Sequence, residues 1–506
     1  MRSAHPVVQV RAAEAALMAR LPTGTLMQRA AAGLAHRVAQ QLGARHGGVY
    51  GGRVALLVGR GNNGADALWA GFRLARRGAR VEALTLGDVD ATARAALLRA
   101  GGRCRPAENS GTLAVLAAAD VVVDGILGIG GRGALRGVAA ALADQLPGPA
   151  TGATVVAVDL PSGVDADTGV VAGPAVRADI TVTFGTLKPG LVLAPGSAYA
   201  GSVELVDIGL AGDLPPATTT VLDAADVDAR LVRPGPKSTK YRRGVLGVVA
   251  GSDAYPGAAV LAVGGALRAG AGMVRFASVP PAAELVRQRW PESVVTVVPA
   301  GAGGSVADPV AVLGAGRVQA WVMGPGVGTD EDAAAVLQAV LASDVPVLVD
   351  ADALTVLARH PDWVRNRSAP TLLTPHLGEF ARLTGVDVEA SDFDRLGAAR
   401  DAASDLGATV LLKGFGTVVA DPDWTARINP TGTSRLATAG SGDVLSGAGG
   451  SLLATGLSPL DAGSVAAFLH GLAARLAPGP VAAADLVEHW PDAVRAVAEA
   501  AGRMPA

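Results

Sequence analysis

Cysteine is almost missing from this chain. One thiol, Cys104, stands among 506 residues, so no disulfide framework can form within it and no Cys-rich metal site is available. Aromatic residues make up only 3% of the sequence, so any core must be built from Val, Leu, Ala and Ile. No charge of one sign dominates. Lys and Arg number 43 against 45 Asp and Glu, a formal net charge of −2, which implies no polyanion-binding surface and argues against nucleic acid as a partner. No run of 18 apolar residues free of charge occurs, so no membrane span is expected. The opening MRSAHPVVQVRAAEAALMARL interrupts its apolar residues with Arg11, Glu14 and Arg20, and does not read as a signal peptide. A soluble cytoplasmic protein is the expectation. Lysine is scarce as well: Lys188, Lys237, Lys240 and Lys413 are the only four among 43 basic residues.

What is present points to a folded α/β protein. Half the residues are apolar and 17% are charged, which excludes disorder as a general description. A chain of 506 residues exceeds one ordinary hydrophobic core, so two large or three smaller domains are expected. Short continuous Val/Ile/Leu runs recur between Ala-rich helical stretches: Arg53-VALLVG, Asp120-VVVDGILG, Thr154-VVAVDL and Asp179-ITVTFG, then Val245-LGVVAGS, Ala320-WVMGPG, Pro346-VLVDAD and Thr409-VLLKG. Unalternating apolar strands separated by helices indicate parallel sheets buried on both faces. The likeliest boundary is the Pro, Gly and Thr cluster from Gly209 to Leu222, with the cut near 217. That gives domains 1–217 and 218–506. A second loose stretch, Arg233-PGPKSTKYRRG, is linker or a loop leading into the second domain.

The first half holds one compact motif. After the strand VALLV comes Gly59-Arg-Gly-Asn-Asn-Gly-Ala-Asp66, then a helical ALWAGFRLARRG. By pattern this is GxGxxG between strand and helix. A dinucleotide-binding version needs an acid at the end of the next strand and a small residue where Asp66 stands. Glu82 falls too early for that role and Asp88 too late. The plain alternative is an Asn/Gly turn with Asp66 as a cap, but a cap needs one polar residue and this loop has three. Asp124 and Asp159 also close strands beside Gly-rich loops, and Asp159 opens Asp-Leu-Pro-Ser162-Gly-Val-Asp. In open parallel sheets ligands bind outside the carboxyl ends of strands, so one crevice would collect Asn63, Asp124, Asp159 and Ser162.

GxGNNGxD, D-GILGxGxxG and VDLPSGVDADTG together, with Leu26-Met27-Gln-Arg-Ala before them, resemble the N-terminal domain of the NAD(P)H-hydrate epimerases over residues 9–213. The resemblance implies a Rossmann-like sheet that binds hydrated nicotinamide dinucleotide, with a potassium ion nearby. Asn62, Asn63, Gly64, Ala65 and Asp66 would contact the hydrate, as would Gly128, Ile129, Gly130, Gly131, Arg132, Gly133 and Ala134. Asn63, Asp124 and Ser162 would hold the ion, and Asp159 would face the reacting C6 hydroxyl. All three ion ligands are oxygen donors, which suits a hard cation. Where that family has GGDG this chain has Gly64-Ala-Asp-Ala67, two added methyls with no functional group lost.

The second half gathers Met323-Gly-Pro-Gly-Val-Gly328, Asp350-Ala-Asp352, Thr374-Pro-His376-Leu-Gly-Glu379, Lys413-Gly-Phe-Gly-Thr417 and Asn429-PTGTSRLATAGSGDVLSG. In the last, a Gly-rich turn opens an apolar helix, presenting free N–H groups and the positive end of the helix dipole to an anion. Asp443 beside that site could take a proton from an attacking hydroxyl. Taken alone, Asp443 would more often be a first-turn stabiliser, and His376 alone would more often be structural. Their company favours a site. These motifs resemble the ribokinase-like fold and, within it, the ADP-dependent NAD(P)H-hydrate dehydratases, over residues 225–500.

That resemblance implies hydrate contacts from Asp443, His376, Ala258 and Gly326, and nucleotide contacts from Lys413, Gly414, Phe415, Gly416, Thr417 and Gly442. ADP would be co-substrate and Mg2+ would screen its phosphates. Lys240 stands where that family has another lysine, and Ser441 stands where it has Thr. The expectation is a homo-oligomeric fusion acting on NADHX and NADPHX. The first domain would interconvert R and S hydrates and the second would dehydrate the S form. Three rivals are a ribokinase-like small-molecule kinase fused to a nucleotide-binding module, a nicotinamide-dependent dehydrogenase, and a non-catalytic ligand sensor.

Overall fold

The computed structural model describes residues 1–131, 133–146 and 152–503. The chain forms two compact units, Ser3–Thr218 and Thr219–Ala506, the latter joined by Met1–Arg2.

In the N-terminal unit the apolar runs become strands because their side chains are removed from water on both faces: Val121–Gly125 is buried at every position, as is Ile180–Phe184. The sheet runs in the order Arg103–Pro106, Arg80–Thr85, Arg53–Val58, Val121–Gly125, Thr154–Val158, Ile180–Phe184, Ser202–Val206, and every pair is parallel. Helices Thr25–His46 and Asn62–Ala75 cover one face and bury Leu34, Val38, Leu42, Leu68 and Leu74 against it. Asn63, Asp124, Asp159 and Ser162 lie at or just past the carboxyl ends of these strands, as expected of an open parallel sheet.

In the C-terminal unit the strand order is Thr219–Val221, Ala426–Ile428, Val418–Ala420, Thr409–Leu412, Thr371–Leu373, Val347–Val349, Ala320–Met323, Val245–Val249, Met273–Ser278, Val294–Val297. Most pairs are parallel, but Val418–Ala420 runs antiparallel to both neighbours. The expectation of an all-parallel sheet therefore fails at this edge. After the Lys413 loop the chain turns straight back, and the turn before Ala426 holds Trp424 at φ 71°. The helix Ser441–Ala454 packs on Pro256–Arg268 with almost no gap: a Cβ on Gly447 would lie 1.8 Å from the Ala262 carbonyl oxygen. That contact fixes where the first turn of Ser441–Ala454, and hence Asp443, stands. The segment Arg233–Gly244 carries no helix or strand and leads into strand Val245–Val249. Among the described residues no helix is long and apolar enough to cross a membrane.

Candidate active sites

At the carboxyl ends of the N-terminal sheet lies a pocket of about 1150 Å³. Asn62, Asn63, Asp66, Gly128, Ile129, Gly130, Gly131, Ala134 and Asp159 line it. Gly64 and Ala65 do not: both are buried in the first helical turn. Gly133 is likewise absent from the wall, and Arg132 falls outside the described residues. The turn ahead of Asn62 needs glycine at position 59, because a Cβ there would sit 1.9 Å from the Ile126 carbonyl oxygen. Of the two added methyls, that of Ala67 packs on the Gly125 backbone, 2.7 Å from where a Cβ on that glycine would be.

The three proposed ion ligands form one buried cluster. Asn63 Nδ2 donates to the carbonyl oxygens of Val158 at 2.8 Å and Leu127 at 3.0 Å. Ser162 Oγ donates to Asp124 Oδ1 at 2.6 Å, and the Ser162 N–H donates to Oδ2 at 2.8 Å. Complete burial pushes the Asp124 carboxyl up to about 6, against the lowering effect of the Ser162 and Ile126 hydrogen bonds. Among the described residues no basic side chain offsets it. A buried carboxylate with the Ser162 hydroxyl and the Asn63 carboxamide close by offers oxygen ligands of the kind a hard monovalent cation takes.

Asp159 adopts φ 64°, a left-handed conformation that costs a non-glycine residue on the order of 1 kcal/mol. It is held there by three donors to Oδ1: Lys188 Nζ at 2.5 Å, Thr183 Oγ at 3.0 Å and the Phe184 N–H at 3.2 Å. Oδ2 is the oxygen left for a ligand. Lys188 is 1% exposed and also donates to the Phe184 carbonyl at 2.9 Å. Sequence reasoning passed over this lysine; its scarcity and its place just after a strand were the available signals. Glu14 and Arg11 also line the pocket. Burial and the Asp159 charge raise the carboxyls of Glu14 and Asp66, that of Asp66 well above its ordinary value. Asp66 Oδ1 is buried without a hydrogen-bond partner.

In the C-terminal unit Gly440, at φ 84°, turns the chain into helix Ser441–Ala454, and Asp443 sits in its first turn. Burial first, and the Asp350 charge second, push the Asp443 carboxyl up to about 7. The neighbouring lysine is engaged elsewhere. Lys413 Nζ donates to Asp350 at 2.8 Å and lies 3.7 Å from Glu379. Asp350, 1% exposed, also accepts from Ser446 Oγ. A Cβ on Gly442 would lie 3.4 Å from Lys413 Nζ, so the anion-binding turn and the lysine share one site.

His376 caps helix Leu377–Thr384: its Nδ1 accepts from the Gly378 N–H at 3.0 Å and the Glu379 N–H at 3.3 Å. Only its Nε2 edge, half-exposed and 3.4 Å from Glu379 Oε1, remains for a ligand. Ala258 and Gly326 meet each other, with a Cβ on Gly326 falling 3.1 Å from that of Ala258. In the loop Lys413–Thr417, Thr417 Oγ donates to the Gly414 carbonyl at 3.0 Å, Gly416 is buried and Phe415 is exposed. The buried Arg395 holds that loop by donating to the Lys413 carbonyl at 3.1 Å. Lys240 is exposed, its amine 5.3 Å from the Tyr241 ring. His470 was not foreseen. It is buried beneath the turn, pushed down to about 4, chiefly by burial, and therefore neutral. A lone histidine in an apolar helix carries no sequence signal of such a place.

A parallel-sheet ligand pocket and a helix-start anion site with a raised carboxyl define a two-domain, nucleotide-handling α/β enzyme. Comparison with known proteins narrows the class. The family model described as YjeF-related protein N-terminus matches residues 23–190, and that described as NAD(P)H-hydrate dehydratase matches residues 246–490. The chain is 50% identical over 506 residues to the bifunctional NAD(P)H-hydrate repair enzyme of Mycobacterium leprae, covering 98% of this chain and 100% of that one. It is 52% identical over 460 residues to the enzyme of the same description from Mycobacterium tuberculosis, with 90% of each chain covered. A crystal structure of the ADP/ATP-dependent NAD(P)H-hydrate dehydratase from Bacillus subtilis, grown with ATP and Mg2+, is 30% identical, with a TM-score of 0.47 over 55% of this chain and 98% of that one. The chain belongs to the family of bifunctional NAD(P)H-hydrate repair enzymes.

Proposed function

We propose that the N-terminal unit interconverts the R and S hydrates of NADH and NADPH, and that the C-terminal unit uses ADP to dehydrate the S form to NAD(P)H, AMP and phosphate. The observation that carries this is Asp443: a carboxyl raised to about 7, at a helix start built for phosphate, beside a lysine committed to other acids. Asp443 takes the proton of the C6 hydroxyl, whose oxygen attacks the terminal phosphoryl of ADP and expels AMP. The phosphoryl group then leaves C6 as phosphate, C5 loses a proton and the C5–C6 double bond returns. Hydroxide is a poor leaving group, and phosphorylation removes that barrier.

The Lys413–Thr417 loop and Gly442 hold the nucleotide, with Ala258, Gly326 and the Nε2 edge of His376 toward the hydrate. Among the described residues no group of three or more His, Cys, Asp or Glu forms a metal cage, so magnesium fits as a companion of the nucleotide, where it would screen phosphate charge.

In the first unit Asp159 Oδ2 faces the hydrate's C6 hydroxyl, and Lys188 and Thr183 keep the carboxylate oriented. Asp159 promotes opening at the hydroxylated carbon, and re-addition from either face gives both epimers. Asn63, Asp124 and Ser162 would hold potassium, which would supply positive charge beside Asp124 and order the loops around the dinucleotide. We place this activity in the cytoplasm.

The test is addition of ADP to the pure S hydrate, with near-ultraviolet absorbance followed. Absorbance should rise in step with AMP. Nucleotide turnover onto a stable acceptor with no rise would move the second unit to a kinase.

A further inference from the structure

Three neighbouring strands of the N-terminal unit begin on arginine: Arg53–Val58, Arg80–Thr85 and Arg103–Pro106. Arg53 lies opposite Arg80, Glu82 opposite Arg103, and Leu84 opposite Arg105. Side chains alternate along a strand and match across parallel register, so all four arginines share one face of the sheet. Toward the carboxyl ends that face is ordinary core, with Ala55, Leu57 and Leu84 buried beside Leu116. At the amino ends it opens into a cavity of about 660 Å³, walled by Ala114, Val115 and Ala118 on the short helix Thr112–Ala118.

The charge balance in this cavity is one-sided. Four guanidinium groups line it against one carboxylate, Glu82, and Arg105 takes that carboxylate at 2.8 Å. Among the described residues Arg53, Arg80 and Arg103 make no side-chain ion pair. A helix-covered sheet face is normally apolar, and like charges gathered in a concavity repel one another. An anion removes that repulsion, and guanidinium forks match phosphate oxygens two at a time. The volume is that of a small-molecule pocket, open to solvent where Arg53, Arg80 and Arg103 are exposed. The overall charge of −2 conceals this local excess.

We propose that this cavity binds a nucleoside di- or triphosphate, its phosphate chain on Arg53, Arg80 and Arg103 and its ring against Ala114, Val115 and Ala118. The six-residue strand Arg53–Val58 separates it from the Gly59 turn by roughly 20 Å, so its occupant is distinct from the hydrate.

Equilibrium dialysis of the full-length protein against radiolabelled ADP tests this by difference. The Arg80→Gln/Arg103→Gln variant should bind one equivalent fewer than the unmutated protein while keeping ADP-dependent dehydration and its melting temperature. Ala118→Phe, which fills the cavity from the opposite wall without touching an arginine, should lose the same equivalent. Displacement of that equivalent by ADP but not by inorganic tripolyphosphate supports the nucleotide. Displacement by both assigns the site to the phosphate chain alone and overturns the role given to the ring. Equal stoichiometry in the unmutated protein and both variants overturns the site altogether.

Discussion

The two units each set a carboxylate near a lysine, and they do so in opposite ways. In the N-terminal unit Lys188 donates directly to Asp159, together with Thr183 and the Phe184 N–H, so one carboxylate oxygen is fully committed and the other faces the pocket. In the C-terminal unit Lys413 gives its hydrogen bond to Asp350 and lies near Glu379, and its charge only partly offsets the burial and the Asp350 charge that raise the Asp443 carboxyl to about 7. The first arrangement orients a charged group. The second keeps a base poised near neutral pH, where a proton acceptor is most effective. Which acid the lysine touches thus separates a positioned carboxylate from a poised one.

The largest effect should come from removing the poised base. Asp443→Asn should lower ADP-dependent dehydration by about 10³-fold or more, with epimerisation unchanged, as read by absorbance recovery and by chromatography of the two hydrates. Next comes the oriented pair. Lys188→Met frees Asp159 to rotate and leaves it buried without its cation, so epimerisation should fall by about 10²-fold while dehydration holds. An unchanged epimerisation rate would make the Asp159–Lys188 pair structural.

The comparison sharpens in the pH profile. Below pH 7 Asp443 is increasingly protonated, so kcat/KM for dehydration should fall about tenfold per pH unit on the acid side, with a midpoint near 7. The Asp350 charge raises that midpoint and the Lys413 charge lowers it. Asp350→Asn should therefore move the limb to lower pH and Lys413→Met to higher pH. Shifts in the reverse directions would contradict the placement of these charges.

The smallest effect concerns Asp124. Its folded-state value of about 6 lies above the ordinary 3.8, so the fold favours the neutral acid. That contribution is complete below about pH 4 and is lost as pH rises through 6, roughly 3 kcal/mol in all. A cation held by Asn63, Asp124 and Ser162 would offset the loss. Potassium chloride in place of choline chloride should raise the melting temperature of the N-terminal unit by a few degrees at pH 8 and leave it unchanged at pH 5. Asp124→Asn should abolish the difference.

The parallel parts of both sheets and the segments of both candidate sites were legible in the chain because they rest on local patterns, apolar runs ending in Gly, Asn and Asp; the antiparallel strand Val418–Ala420 was not. Asn63 and Asp159 could be grouped on one pocket because strand ends in a parallel sheet share one edge, whereas Asp124 and Ser162, expected in the same crevice, are buried and absent from its wall. Lys188 could not be paired with Asp159 from sequence, since the contact crosses from one strand end to a later turn. The allocation of Lys413 among Asp350, Glu379 and Asp443 is likewise a matter of three-dimensional distance. His376 showed its position before a helix but not that Nδ1 caps it. The arginine face was hidden for another reason: RVALLV, RVEALT and RCRP look unrelated until parallel register lays their first residues side by side.

The most direct test of the central contrast is a recovery assay on mixed R and S hydrates with ADP, comparing the unmutated protein with Asp159→Asn and Asp443→Asn. NAD(P)H absorbance should recover fully in the first, recover only the S fraction in the second, and recover almost nothing in the third, where R and S should still interconvert. Full recovery by Asp159→Asn, or substantial recovery by Asp443→Asn, would contradict that contrast.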